Sequence, residues 1–195
     1  MPNMPVNDNQ ELRNFLIRHE GLKFFPEPDP IQPKTLNTQV LGGPRRRIIG
    51  VGRNIDETGF SPDELAMLEE NTFNRGGIQR DLTIEGITRD EAMILLGNDI
   101  RTRSQDIQKV IPQFSQFSPA QQAALLSLHF TTGSGGFRDF HDLIGALNEE
   151  TPNFTKAKSA LFDSKRFREK QVSNERVNQE GFMLETGQFA PHPMK

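Results

Sequence analysis

Apolar residues recur at helical spacing over much of the chain. Leu12, Phe15 and Leu16 fall at i, i+3 and i+4, with Asn7 or Asp8 placed to cap, so the spacing predicts a helix over 9–19. Between Gly21 and Arg53 that period is lost. Pro26, Pro28, Pro30, Pro33 and Pro44 exclude helix, and Lys23–Phe25 and Arg47–Val51 read as short strands flanking a long hairpin loop over 30–44. Helical pattern resumes at Ser61-Pro62-Asp63-Glu64, a capping box with proline at the first helical position. It continues through Leu65, Leu68 and Phe73 to the break at Asn74-Arg75-Gly76-Gly77.

A second capping box, Thr88-Arg89-Asp90-Glu91, opens a helix predicted to run to Val110 and to be stopped by Pro112. Its ends carry Leu95, Leu96 and Ile100, then Ile107, Val110 and Ile111, whereas Arg101-Thr102-Arg103-Ser104-Gln105-Asp106 is polar on every side. A helix apolar at both ends and wet in the middle suits a bridge between two lobes. A third box, Ser118-Pro119-Ala120-Gln121, starts an apolar helix through Leu125, Leu126, Leu128 and Phe130 that is expected to end in the Gly133–Gly136 cluster. Shorter helices follow over 140–147, 152–162 and 174–184, the last closed by Gly187. Residues 1–8 read as a loose leader and 190–195 as a loose tail, with one domain over 9–189 between them and no internal repeat.

Composition narrows the function classes. With 195 residues the chain can bury a substantial core in one domain or two small lobes, and with no cysteine it has no disulfide, thiol nucleophile or thiolate metal site. A net charge of −3 removes a global case for nucleic-acid binding. Trp and Tyr are absent, which disfavours a module that stacks sugar rings on large aromatics, and 15 Phe carry all the aromatic surface. Charge is unevenly spread: residues 56–99 hold eleven acids against three bases, a net of −8, and residues 156–176 hold seven bases against three acids, a net of +4. These stretches could face one another across a cleft or be two solvated surfaces. The start, MPNMPVNDNQ, has neither the basic end nor the apolar run of a secretory signal, and the most apolar stretch, Ala123–Phe130, is far short of a membrane span.

Most chemical signatures fail on spacing. Gly50-Val51-Gly52 has Ile55 where a dinucleotide fingerprint needs its third glycine, Gly133-Ser134-Gly135-Gly136 lacks the ending of a phosphate loop, and His19, His129, His141 and His192 have no metal-binding spacing. Carboxylates remain. Glu20 stands where a helix stops and a strand region begins, partly shielded by Phe24 and Phe25, and Asp29 follows nine residues later in a loop. Two carboxyl groups in unlike environments are the minimum for splitting a glycosidic bond: one donates a proton to the leaving oxygen, and the other orients water or stabilises positive charge.

Arg18-His19-Glu20-Gly21-Leu22, then Asp29, then Ile49-Gly50-Val51-Gly52 resembles the phage-type lysozymes, the family of the T-even bacteriophage muramidase. The order continues in Gly86-Ile87-Thr88-Arg89-Asp90-Glu91-Ala92, in Phe117-Ser118-Pro119-Ala120-Gln121-Gln122-Ala123-Ala124-Leu125, in Phe130-Thr131-Thr132-Gly133, in Asn174-Glu175-Arg176 and in Glu185-Thr186-Gly187. The resemblance covers roughly residues 10–187. It implies an α+β, two-lobed lysozyme-like fold: a small β-hairpin lobe over about 20–60, an interlobe helix over 88–110, and a helical lobe over 111–187 packed with the helix 9–19. It also implies a β-1,4-N-acetylmuramidase acting as a monomer with inversion on peptidoglycan glycan strands, with no metal or other cofactor, no nucleic-acid partner and no stable membrane insertion. Glu20 is then the general acid, Asp29 the residue that orients or activates water, and Arg176 the arginine supporting the acid. Thr131, Thr132 and Gly133 are then substrate-binding candidates, and Arg53 and Asp99 form an ion pair between the sheet and the interlobe helix.

The chain also departs from that pattern. The family's water-holding threonine lies six residues after the Asp and immediately before Ile-Gly-x-Gly. Spacing here selects Thr35, with Thr38 and Gln39 behind it, whereas register selects Ile48, which cannot hydrogen-bond. Insertions over 30–47 and 74–85 lengthen the loops, and with an acidic total charge, steering toward an anionic wall falls to local patches such as Arg45-Arg46-Arg47, which otherwise reads as a solvated hairpin. Two alternatives stay open: a lytic transglycosylase, which uses the acid but no water and against which Asp29 argues, and a catalytically weak wall-binding or virion component. The chain is expected to be made in a bacterial cytoplasm and to reach the periplasm or wall by holin release, virion delivery or secretion.

Overall fold

The computed structural model describes residues 9–28, 47–73, 85–169 and 172–191. Helix dominates, with one small antiparallel sheet, so the chain is α+β in content. In chain order the elements are α1 (Gln10–Glu20), β1 (Lys23–Pro28), β2 (Arg47–Gly50), β3 (Arg53–Asn54), α2 (Pro62–Phe73), α3 (Arg89–Val110), a 3-10 turn (Pro112–Gln116), α4 (Pro119–Arg138), α5 (His141–Leu147), α6 (Phe154–Phe162), α7 (Lys165–Arg168) and α8 (Asn174–Thr186). The chain divides into two compact units, Glu20–Asp99 and the remainder up to His19 and from Ile100 onward, so α3 supplies residues to both.

In the unit Glu20–Asp99 the sheet has the order β1-β2-β3 with both pairings antiparallel. Sequence reading stopped β1 at Phe25, but the strand continues through Pro26 to Pro28. Those prolines are tolerated because, among the described residues, β1 pairs only with β2 and its register shifts between Lys23 and Glu27, so the ladder does not need their missing N–H groups. The strand expected over 47–51 is β2, which ends at Gly50, and a turn at Val51-Gly52 leads into a further two-residue strand, β3, that no sequence pattern marks. Ile49, Leu68, Ile87, Ala92 and Leu95 form the core of this unit, flanked by Leu22, Ile55, Phe60, Met67 and Met93. Phe24 and Phe25, expected to shield a carboxyl, are 38% and 57% exposed.

In the helical unit the apolar stripe of α1 is buried as its spacing required, through Leu12, Phe15 and Leu16. The polar stretch of α3 is bounded by Ile100 and Ile107, both fully buried. α4 is the central element. Ser118 accepts from the Gln121 N–H while the Gln121 side chain accepts from the Ser118 N–H, and Ala120 through His129 are all buried. α8 packs against α4 and α6, and α5 against α6. The helix from Pro119 breaks inside the glycine cluster as expected, at Gly133 with φ 67° and ψ 177°, and what the sequence did not show is that helix resumes beyond it through Arg138. Gly135 and Gly136 keep helical backbone, so glycine content alone did not mark the stop.

Candidate functional site

Glu20 is the last residue of α1 and is half-buried, with its Oε1 atom closed off from solvent. The chain reverses after it at Gly21 and enters β1. The turn between β2 and β3 comes back onto this carboxyl. A methyl group at Gly52 would stand 3.0 Å from Glu20 Oε2 and 3.3 Å from its Cβ, and Gly52 holds φ +69°. Only a residue without Cβ lets the backbone lie this close to the carboxyl in that conformation. The sequence pair Glu20 and Ile49-Gly50-Val51-Gly52 is therefore also a spatial pair.

Arg53, the next residue, is 4% exposed and carries the ion pair with Asp99 expected from the resemblance. Its Nε and Nη2 donate to Asp99 at 3.1 and 2.7 Å, while Nη1 and Nη2 donate to Glu64 at 2.8 Å each. The sequence reading missed Glu64 as a partner and saw it only as a capping residue, which it also is, accepting from the Ser61 N–H at 2.9 Å. Although burial opposes the charge, hydrogen bonds from Arg53, the Ser61 N–H and Asn98 hold Glu64 down at a pKa of about 2. Burial likewise works against the Arg53 cation, and the two carboxylates outweigh it, raising Arg53 above its ordinary value. The guanidinium has two bidentate partners, the strongest geometry available to it.

Arg176 lies on α8 and is buried. Its Nε donates to Ser127 Oγ at 3.0 Å and to Glu180 Oε1 at 3.2 Å, and Nη2 donates to Ser127 Oγ at 2.9 Å and to the Ser127 carbonyl at 3.1 Å. His19 Nε2 donates to Gln179 Oε1 at 2.8 Å on the same helix, and burial lowers the His19 pKa.

Thr131, Thr132 and Gly133 sit at the break in α4. Thr131 Oγ1 donates to the Leu128 carbonyl at 2.9 Å and Thr132 Oγ1 to the same carbonyl at 2.8 Å, closing the helix before Gly133 turns away. Both threonines line a cavity of about 610 Å³ that also meets His141, Asp163, Lys165 and Arg166. Gly133 is not part of that lining. Below this break His129 is buried at 2% exposure, its Nδ1 accepting from Arg103 Nη1 at 3.2 Å. Burial first, then the Arg103 charge, lowers its pKa to about 4.

Asp29, Thr35, Thr38 and Gln39 lie outside the described residues, as do Arg45 and Arg46. Arg47 donates through Nη2 to Asp56 Oδ1 at 2.7 Å, so its charge is answered locally. Among the described residues no group of three or more His, Asp or Glu side chains could hold a metal ion, and no helix is long and apolar enough to cross a membrane. No protein-family model matches the chain, and no curated protein matches it.

Proposed function

We propose that the chain is a peptidoglycan hydrolase of lysozyme-like fold that cleaves the bond between N-acetylmuramic acid and N-acetylglucosamine with inversion. The observation that carries this reading is the apposition of Glu20 to Gly52: the carboxyl ending α1 rests on the turn of the Ile-Gly-Val-Gly segment, 3.0 Å from where a side chain would begin. The Arg53–Asp99 pair, which the same resemblance implied, is present as well.

In this account Glu20 is the general acid and donates its proton to the glycosidic oxygen as the bond to the anomeric carbon breaks. Asp29, nine residues further on, takes the proton from a water attacking the opposite face, which requires the two carboxyl groups to stand about 6.5–9.5 Å apart. Thr35 holds that water, Arg176 steadies the acid, and Thr131, Thr132 and Gly133 contact the glycan. Water is consumed and a reducing end is left. The expected outcome is clearing of outer-membrane-permeabilised cells by wild type and none by Glu20→Gln, which removes the transferable proton at almost constant volume. A folded Glu20→Gln protein that lyses cells at the wild-type rate refutes the assignment. Product analysis separates hydrolysis from a transglycosylase, which would leave 1,6-anhydro ends.

A further inference from the structure

The turn that meets Glu20 is short, and both of its ends are held from within the unit Glu20–Asp99. Ile49 pairs with Arg53 across it, so Gly50, Val51 and Gly52 alone close the turn. On one side Ile49 and Val51 are buried as apolar side chains. On the other, Arg53 is held by charge. Glu64 of α2 takes Nη1 and Nη2 at 2.8 Å each, and Asp99 of α3 takes Nε and Nη2. All three side chains are buried. Burying such groups is costly, and apolar side chains of similar size commonly fill the same space at no loss of stability. Glu64 is not required for charge balance, since Asp99 already neutralises the guanidinium. Nor is its charge required for the cap at Ser61, where glutamine serves as well.

We infer that Glu64 is a positioning residue for the acid at position 20: by fixing Arg53 it fixes the backbone of Gly52, on which the Glu20 carboxyl rests. Asp99 holds the guanidinium along one edge and Glu64 along another, so the planar group cannot rotate without breaking charge-assisted contacts. Arg53 follows Gly52 directly in the chain. A methyl group at Gly52 would stand 3.0 Å from Glu20 Oε2 and 3.4 Å from its Cδ, so a small shift of this turn either opens the contact or presses on the carboxyl. A general acid must stay within hydrogen-bond reach of the oxygen it protonates, and a misplacement of about 1 Å costs about 100-fold in rate. The catalytic consequence rests on the proposed function; the geometry does not.

The test uses Glu64→Gln and Arg53→Lys in the full-length chain. Glu64→Gln keeps the side-chain shape, the cap and one acceptor for Arg53 but ends the charged bidentate grip, whereas Arg53→Lys keeps the cation and loses its fork. Purified peptidoglycan is the substrate, at a temperature where the ¹H–¹⁵N spectrum of each variant is that of a folded chain. Each is expected to lose about 5- to 50-fold in kcat with KM changed by less than about twofold. In a Gly52→Ala background, where the turn already presses on the carboxyl, Glu64→Gln is expected to cost less than about twofold more. The nuclear Overhauser cross-peak between the Gly52 α-protons and the Glu20 side chain should weaken in both variants. An unchanged kcat, a loss undiminished beside Gly52→Ala, or an unaltered cross-peak overturns the inference. So does failure of both variants to fold at any temperature, which would leave the network a role in stability alone. If wild type releases no muropeptides, the proposed function fails instead, and the cross-peak alone then decides the positioning claim.

Discussion

Gly52 shows how one absent side chain shapes a site. Its φ of +69° and the 3.0 Å approach to Glu20 are separate constraints, and Gly21, at φ +77° with open space around it, carries only the first. Alanine at either position meets the same kind of backbone strain, of about 1–2 kcal/mol. Only at position 52 does it also push on the carboxyl. Gly52→Ala is therefore expected to depress lytic activity much more than Gly21→Ala at comparable loss of stability in urea unfolding; equal activity losses would show that the contact with Glu20 has no functional weight. His129 supports a pH prediction at the same scale. Its folded pKa is lowered to about 4 from the ordinary 6.5, so the unfolded chain binds the extra proton between those values. Stability should accordingly be full above pH 6.5 and fall as pH drops toward 4, by at most about 3 kcal/mol. His129→Gln should flatten that slope in urea titrations, and an unaltered slope would show that another group carries it.

Among the elements, the three brought together by Arg53 depend on charge more than on contact area. β3 contributes the cation, α2 Glu64 and α3 Asp99. Arg53→Met leaves two buried acids facing one another and is expected to cost about 3–5 kcal/mol. Because the Glu64 pKa is depressed to about 2, its contribution is complete above about pH 4.5 and disappears as pH falls through 2; Glu64→Gln should lower stability at pH 7 and remove that acid limb. Denaturant midpoints measured from pH 2 to 7 check both. The helices were legible in the sequence because their signals are local: the apolar stripe of α1 and the boxes at Ser61, Thr88 and Ser118 each act within one turn. β3 and α7 were not, since a two-residue strand and a four-residue helix take their definition from partners distant in sequence, β2 for one and the Glu180 contact of Arg166 for the other. The return to helix after the break in α4 was not legible for a related reason. The three glycines of the cluster looked alike, and only the threonine hydroxyls on the Leu128 carbonyl single out Gly133. At the site, Glu20 and Gly52 could be read from motif order, whereas Glu64, Ser127 and Glu180 could not, because a buried acid and a surface acid look the same in a sequence.

Taken as a whole molecule, the chain has a net charge of −3, yet much of its uneven charge is already answered within each unit. Asp99 and Glu64 are held by Arg53, and Arg166, Lys156 and Lys158 by Glu180, Glu149 and Glu185. The acidic and basic stretches seen in the sequence are thus partly internal pairs, and less charge is left to steer a long anionic polymer than the raw counts suggest. Under the proposed function, affinity for the wall then rests on shaped contacts with glycan, and lytic activity should fall only modestly between low and moderate salt. A steep loss over that range would indicate electrostatic capture instead. The proposed function turns on an acid at position 20 that cleaves a glycosidic bond with water. Its most direct test is mass spectrometry of the fragments released from purified peptidoglycan: wild type should yield muropeptides with reducing N-acetylmuramic acid ends and Glu20→Gln none, while anhydro ends, or the same fragments from the variant, would contradict it.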